Sequence, residues 1–298
     1  MSASANQHQA LFTTIASITS STLLPTALHF HILAPRALAE ARKAARCMQE
    51  SGLSRGANIQ VHAVDTAQFS LLRERSSGAA SNLLRFYLPR LLPDVQKVIW
   101  VDADGIMRGD VRTLASSLFV GANAQKALAA VERPAKSLSQ ATGLGASALA
   151  ALGLSNVDGQ TAGVFNAGFL GFNLRAWRER HITEALEGLV AALDRRGFRG
   201  FPGISTKDAG TTRRVHDSQT PILLYFRNAS TAQAVQPLDP SWNVEGLGWK
   251  TADRAKVCAG RYLHRSGKNK PWDATGSSNA SYTEIWRAHA REVRICVP

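Results

Sequence analysis

The chain's 298 residues are 45% hydrophobic and 19% charged, an ordinary globular balance with ample length for a core. The formal net charge of +13 points to acidic partners such as phosphates or acidic polysaccharides, yet Lys and Arg are spread along the chain without the basic arm or aromatic-basic motif of a nucleic-acid binder. No run of 18 apolar residues occurs, so no transmembrane segment is expected, and the N-terminus lacks the basic and apolar regions of a signal peptide.

Residues 9–24, QALFTTIASITSSTLL, set Leu11, Ile15 and Ile18 on one side and Ser and Thr on the other, which predicts an amphipathic helix. Residues 28–34 then read as a strand. Pro35 opens a helix with Leu38, Ala41, Ala45 and Met48 on one face, Gly52 closes it, and residues 58–64 form the next strand. Such alternation predicts an α/β fold, a Rossmann-like, mostly parallel sheet flanked by helices. Gly78 and Ser81 precede a third helix, SNLLRFYLPRLLP, kinked by Pro89 and stopped by Pro93.

Farther on, Asp110 caps a helix running to Leu118, residues 127–131 suggest a strand, and the Ala-, Ser- and Gly-rich stretch 136–159 reads as a small helical excursion. Residues 164–174, VFNAGFLGFNL, include Gly168 and Gly171, and glycines within a strand mark close approach of backbone or ligand. A helix with Trp177, Leu186, Leu189, Val190 and Leu193 ends at Gly197, and residues 198–216 look like a loop. Residues 218–226 read as helix, 257–263 as strand and 281–293 as a closing helix with Ile285, Trp286, His289 and Val293 on one face. Cys47, Cys258 and Cys296 form no C-x-x-C motif, and Cys258 with Cys296 is the pair available to an oxidising compartment. Sequons begin at Asn228 and Asn279.

Chemistry concentrates in QKVIWVDADGIMRGD. The apolar run 98–101 reads as a strand buried on both faces, ending in Asp102-Ala103-Asp104 with Gly105 next. Carboxylates at i and i+2 of a strand point the same way and repel, so either both are solvated in a turn or a hard divalent cation sits between them. A second stretch, YLHRSGKNKPW, spaces His264, Gly267 and Lys270 three apart. Neutral imidazole ligates metals, glycine lets a phosphate approach the backbone, and lysine neutralises phosphate charge. Together with the carboxylates these make a facial metal site with positions open to diphosphate oxygens.

These two blocks and FNAGFLGFNLRAWRE, in this order and spacing, resemble the retaining glycosyltransferases of family 8 over about residues 10–273, with SQTPILLYF and WNVEGLG nearest the plant galacturonosyltransferase-like branch. The resemblance implies a GT-A fold and one domain, 1–298, with a nucleotide-sugar half at about 1–135 and an acceptor and donor-sugar half at about 136–298. It implies transfer of a hexosyl or uronosyl group from a UDP-sugar to a glycan or polysaccharide acceptor, aided by Mn2+ or, as the alternative, Mg2+. Metal ligands would be Asp102, Asp104 and His264, and nucleotide or donor contacts Asp102, Ala103, Ala167, Gly168, Gly267 and Lys270. Arg85, Asn166 and Gln219 would work at the donor sugar and in catalysis. A Golgi or secretory-pathway location would follow, with the cytoplasm as the alternative because no signal or anchor is visible.

The chain departs from this pattern twice. Ser218-Gln219-Thr220 stands where many members carry Asp-Gln-Asp, so the acid nearest the reacting carbon is absent unless Asp217 substitutes. The family's first strand, which holds the nucleobase, is also missing, so its neighbours must pair with each other, with another strand, or stay open. Two rivals stand beside the transferase reading. One is a non-catalytic nucleotide-sugar or carbohydrate-binding relic of the same fold. The other is a two-metal nucleotidyltransferase, which has no use for the His264-Lys270-Trp272 block.

Overall fold

The computed structural model describes residues 5–35, 37–73, 81–133, 137–142, 144, 146–152, 164–195, 218–228, 231–248, 254–267, 270–272 and 280–297. The chain opens with helix α1 (Ala5–Ser21), strand β1 (His29–Ala34), α2 (Leu38–Glu50) and β2 (Asn58–Ala63), followed by a 3-10 turn at Leu84–Tyr87, α3 (Leu88–Leu91), β3 (Lys97–Val101) and β4 (Gly105–Met107). Then come α4 (Val111–Ser117), β5 (Leu128–Arg133), α5 (Leu138–Thr142), α6 (Ala146–Ala151), β6 (Val164–Asn173), α7 (Leu174–Glu179) and α8 (Ile182–Arg195). Helix α9 (Gln219–Arg227), β7 (Val235–Pro237), α10 (Arg254–Ala259), β8 (Tyr262–His264) and α11 (Ala280–Val293) complete it. No helix among the described residues is long and apolar enough to cross a membrane.

The strands form three sheets: β1 with β2 in parallel, β4 with β8 antiparallel, and a four-stranded sheet in the order β3-β6-β5-β7. Within the last, β5 runs antiparallel to β6 and parallel to β7. The fold is thus the expected helix-flanked α/β type, with its strands distributed over separate sheets. The chain gathers into two compact units, one of residues 1–65, 100–117 and 239–298, the other of 66–99 and 118–238.

Helix α1 differs in an instructive way from the amphipathic helix expected. Its apolar side behaves as predicted, with Phe12, Ile15 and Ala16 joining Met48, Ile59 and Val293 in one core. Its Ser and Thr side, however, is buried too, with Thr13, Ser17 and Thr19 at 0% exposure. A strand presents the backbone groups of alternate residues to one edge, and along β4 the odd-numbered residues face α1. Thr14 Oγ1 lies 2.9 Å from the carbonyl oxygens of both Ala103 and Gly105, Met107 N–H donates to Ser17 Oγ at 2.9 Å, and Ser21 Oγ reaches Gly109 O at 3.3 Å. The spacing 14, 17, 21 is one helical stripe, so a helix supplies from hydroxyls the hydrogen bonds a neighbouring strand would supply from backbone. The even edge of β4 is met by β8 and its flanks, with Ile106 opposite Leu263, Arg265 N–H donating to Asp104 O at 2.9 Å and Arg108 N–H to Arg261 O at 2.7 Å.

Several local expectations change. Strand β3 is only half-buried, Lys97 being exposed and Val98 to Val101 intermediate, because it lies at the edge of its sheet. The helix expected around Pro89 is instead a 3-10 turn and the one-turn α3, with Pro89 near its start, where a missing N–H costs nothing. The segment around Trp177 to Leu193 divides into α7 and α8 at His181, whose φ is +50°. The strand expected over 257–263 is α10 followed by the short β8, since Arg254-Ala255-Lys256 favours helix until Gly260. A side chain at Gly260 would lie 2.5 Å from Leu263 Cδ2. Gly171 serves packing rather than a ligand, because a Cβ there would sit 3.1 Å from both Ala129 and Leu118.

The cysteine expectation is corrected. Cys296 is bonded to Cys47, with Cα atoms 5.4 Å apart, and Cys258 is free and exposed. Helices α2 and α11 bring the bonded pair together in the core that α1 completes, a juxtaposition spacing does not reveal. Both sequons, Gly78, Gly197, the loop 198–216, Asp217 and much of 136–159 lie in whole or in part outside the described residues.

Candidate functional site

The antiparallel pairing of β4 with β8 sets Gly105 opposite His264, which brings the two sequence blocks together. His264 Nε2 lies 3.1 Å from Asp104 Oδ1 and 3.9 Å from Asp102 Oδ2. Ligand atoms of all three side chains fall within 4.8 Å of one another. Lys270 Nζ sits 2.5 Å from Asp104 Oδ2. Gly267 has φ +130°, a conformation that suits glycine. Thus Asp102, Asp104, His264 and Lys270 converge as the sequence blocks suggest.

What holds the acidic loop in place has no counterpart in the sequence reading. Tyr262 OH donates to Asp102 O at 2.8 Å, Thr14 Oγ1 serves Ala103 O and Gly105 O, and Tyr282 OH donates to Asp104 O at 3.0 Å. Four consecutive carbonyls are therefore held by three buried hydroxyls from α1, β8 and α11. Burial, and next the Asp104 carboxylate, push both tyrosine hydroxyls well above their usual range, so they stay protonated donors. Gly105 makes this possible: a Cβ there would fall 2.2 Å from the Tyr262 hydroxyl oxygen. Trp100 Nε1 donates to Asp102 Oδ1 at 2.8 Å, leaving Oδ2 turned towards His264.

The charges decide what the site accepts. His264 is 2% exposed, and its Nδ1 lies 3.1 Å from Asn243 Oδ1. An amide oxygen only accepts, so Nδ1 carries a proton, and Nε2 is the ring nitrogen that faces Asp104. Asp104 Oδ1 is buried and has no hydrogen-bond partner. Burial raises the Asp104 carboxyl, but His264 and then Lys270 outweigh it and hold the group well below the usual carboxylate range. Either a proton on Nε2 or a cation between the two groups satisfies this 3.1 Å approach. The donor set of two carboxylates and one imidazole fits a divalent cation that tolerates both oxygen and nitrogen.

The remaining candidates gather in the second unit around one peptide. Gln219 Oε1 accepts the Ala167 N–H at 2.9 Å, and Arg85 Nη1 donates to Ala167 O. Arg85 is buried and also donates from Nε to Asn82 O at 3.2 Å. Asn166 Oδ1 accepts the Gly168 N–H at 2.8 Å within strand β6. Arg85, Asn166, Ala167, Gly168 and Gln219 are thus one constellation, and the Gln219 amide oxygen is already engaged.

Residues 1–276 match the family model Glycosyl transferase family 8. The chain is 28% identical over 213 residues to Glycosyltransferase 8 domain-containing protein 1 of Danio rerio, covering 68% of this chain and 53% of that protein. It is 24% identical over 217 residues to Glycosyltransferase 8 domain-containing protein 2 of Homo sapiens, covering 70% of this chain and 57% of that protein. The chain therefore spans about half the length of the curated relatives it matches. Among solved structures, the galactosyltransferase LgtC in complex with donor and acceptor sugar analogs superimposes with a TM-score of 0.65 at 18% identity, over 97% of this chain and 94% of that one. Apo mouse xyloside xylosyltransferase 1 gives 0.59 at 14% identity, over 88% and 93%. The shared architecture is GT-A.

Proposed function

Because the chain belongs to glycosyl transferase family 8, we propose that it is a metal-dependent retaining glycosyltransferase moving a hexosyl or uronosyl group from a UDP-sugar to a hydroxyl of a glycan or polysaccharide. The observation that carries this reading is the buried, unpartnered Asp104 oxygen facing His264 Nε2, a position made for a cation.

Asp102, Asp104 and His264 would hold Mn2+ or Mg2+, which when bound supplies Lewis-acid stabilisation of a diphosphate leaving group. Lys270, now on Asp104, has the charge and reach to add a second positive contact to phosphate oxygens. The backbone at Ala103 and Gly267 is assigned to the nucleotide, following the family pattern. In the second unit, Arg85 and Gln219 hold the carbonyl and N–H of Ala167, and the Asn166-Ala167-Gly168 stretch of β6 would present a wall to a donor sugar.

Retention of configuration needs either a covalent intermediate or attack from the leaving-group face. The engaged amide of Gln219 is a poor nucleophile, which supports same-face attack. The bond from C1 to the diphosphate oxygen breaks, the bond from C1 to the acceptor oxygen forms, and the acceptor's proton passes to the departing diphosphate. We read residues 1–298 as one transferase domain of the secretory pathway, and the Cys47–Cys296 bond suits such an oxidising compartment.

The test is a panel of UDP-sugars with Mn2+, read as hydrolysis and as transfer to oligosaccharide acceptors. Turnover of at least one donor, lost in Asp104→Asn, supports the proposal. Metal-dependent UDP binding with no turnover of any donor supports the relic reading instead.

A further inference from the structure

Within YLHRSGKNKPW the transferase reading uses His264, Gly267 and Lys270 and leaves Arg265 without a role. Arg265 follows β8 directly and is 2% exposed. Arginine is rarely this buried unless its charge and donors are met. Its backbone N–H donates to Asp104 O at 2.9 Å, its Nη1 donates to Thr283 Oγ1 at 2.8 Å, and its Cζ stands over the Tyr282 ring, 5.5 Å from the centroid. That distance is within cation–π range. Tyr282 OH in turn donates to the same Asp104 O at 3.0 Å. The contacts therefore form a closed circuit, from Asp104 O to the Arg265 N–H, along its side chain to the face of Tyr282, and back through the phenol hydroxyl to Asp104 O.

This circuit joins three elements distant in sequence: Asp104 just before β4, Arg265 just after β8, and Tyr282 with Thr283 in the first turn of α11. The β4–β8 pairing places the Arg265 N–H whatever its side chain, but it does not place α11. A guanidinium can do so at two points at once, because its plane stacks on a ring while an N–H at its edge donates. A lysine ammonium, a point charge on a flexible stem, does not combine the two. We propose that Arg265 is a positioning residue for the cation site, a clamp on the first turn of α11 that keeps the Tyr282 hydroxyl on Asp104 O and thereby keeps the Asp104 carboxylate aimed at His264. The proposal rests on the reading of Asp102, Asp104 and His264 as that site.

Mn2+ affinity, measured by calorimetry in a double-mutant cycle, tests the clamp. Arg265→Met keeps the backbone N–H and an unbranched stem while removing the guanidinium, and should weaken Mn2+ binding at least about tenfold, the loss typical of a group that orients a metal ligand. Tyr282→Phe should do the same. Because Arg265 acts through the Tyr282 hydroxyl, the double variant should bind no more weakly than Tyr282→Phe alone, whereas a general loosening of the fold would add a further loss. Should Arg265→Met fail to fold, Arg265→Lys retains the buried charge, and it too should lose about tenfold. Unchanged affinity in either folded Arg265 variant, or losses that multiply in the double variant, would overturn the clamp and leave the cation site standing. A parent chain that binds no Mn2+ overturns the site and the clamp together.

Discussion

The two constellations solve opposite problems. The acidic loop brings like charges together, so its ligands gain nothing from one another and depend on groups elsewhere in the chain: hydroxyls of Thr14, Tyr262 and Tyr282 on the backbone, Trp100 and Asn243 on the side chains. The Ala167 constellation carries a single charged group, Arg85, and is joined through backbone groups, Arg85 and Gln219 meeting Ala167, Asn166 meeting Gly168, and Arg85 also reaching Asn82 O. The two differ in charge rather than in reach, for Arg85 and Gln219 come to Ala167 from 82 and 52 residues away.

The largest expected effect comes from Asp104→Asn, which removes the charge on which His264 and Lys270 converge. Mn2+-dependent UDP binding should fall to the metal-free level by calorimetry, while Gln219→Ala leaves Mn2+ binding unchanged and lowers only transfer. Loss of Mn2+ binding in Gln219→Ala would erase the distinction between the two sites.

Next in size is the Cys47–Cys296 bond, which joins residues 249 apart within the first unit. Reduction should cost between about 2 and 5 kcal/mol, seen as a lower melting temperature. Hydrogen exchange should quicken in α1, α2 and α11 and stay unchanged in β5 and β6. Equal quickening in both units would refute a local role.

Lys270→Ala should weaken UDP more than uridine, by about 1.5–3 kcal/mol for a charge-assisted contact. Parallel losses for the two ligands would place Lys270 away from the diphosphate. Smallest is Tyr262→Phe, which removes one donor from Asp102 O and should reduce Mn2+ affinity about tenfold with the fold intact by circular dichroism. Unaltered Mn2+ affinity would show that the hydroxyl serves packing alone.

Much of this site was legible because charge and spacing announce themselves. An apolar run ending in Asp-x-Asp, and His264, Gly267 and Lys270 three apart, carry their chemistry in their side chains. The frame was not legible, for Tyr262, Tyr282 and Thr14 act on backbone carbonyls, which are alike in every sequence. Asn243 lay within the quoted WNVEGLG stretch, yet only the fold shows it on His264. The polar stripe of α1 misled for a related reason: helical periodicity separates apolar from polar residues but does not reveal whether the polar face meets water or a strand edge. Residues 257–263 read as strand because Val257 and Cys258 suit either state, and the tie-breaker, Gly260 packed on Leu263, lies in tertiary contact.

The long reach of the hydroxyl frame also governs when the cation site comes into being. Thr14 is 89 residues before Ala103, whereas Tyr262 and Tyr282 follow their carbonyl partners by 160 and 178 residues. Translation at about 5–20 residues per second delivers Tyr282 roughly 10–35 s after Asp104. Until residue 262 is added, the nascent acidic loop has the N-terminal helix beside it in sequence order but neither tyrosine, nor His264, nor Lys270. Assembly of the Asp102, Asp104 and His264 cluster thereby waits for residues 262–282, and a ribosome-stalled product ending before Tyr262 would carry both carboxylates without their frame.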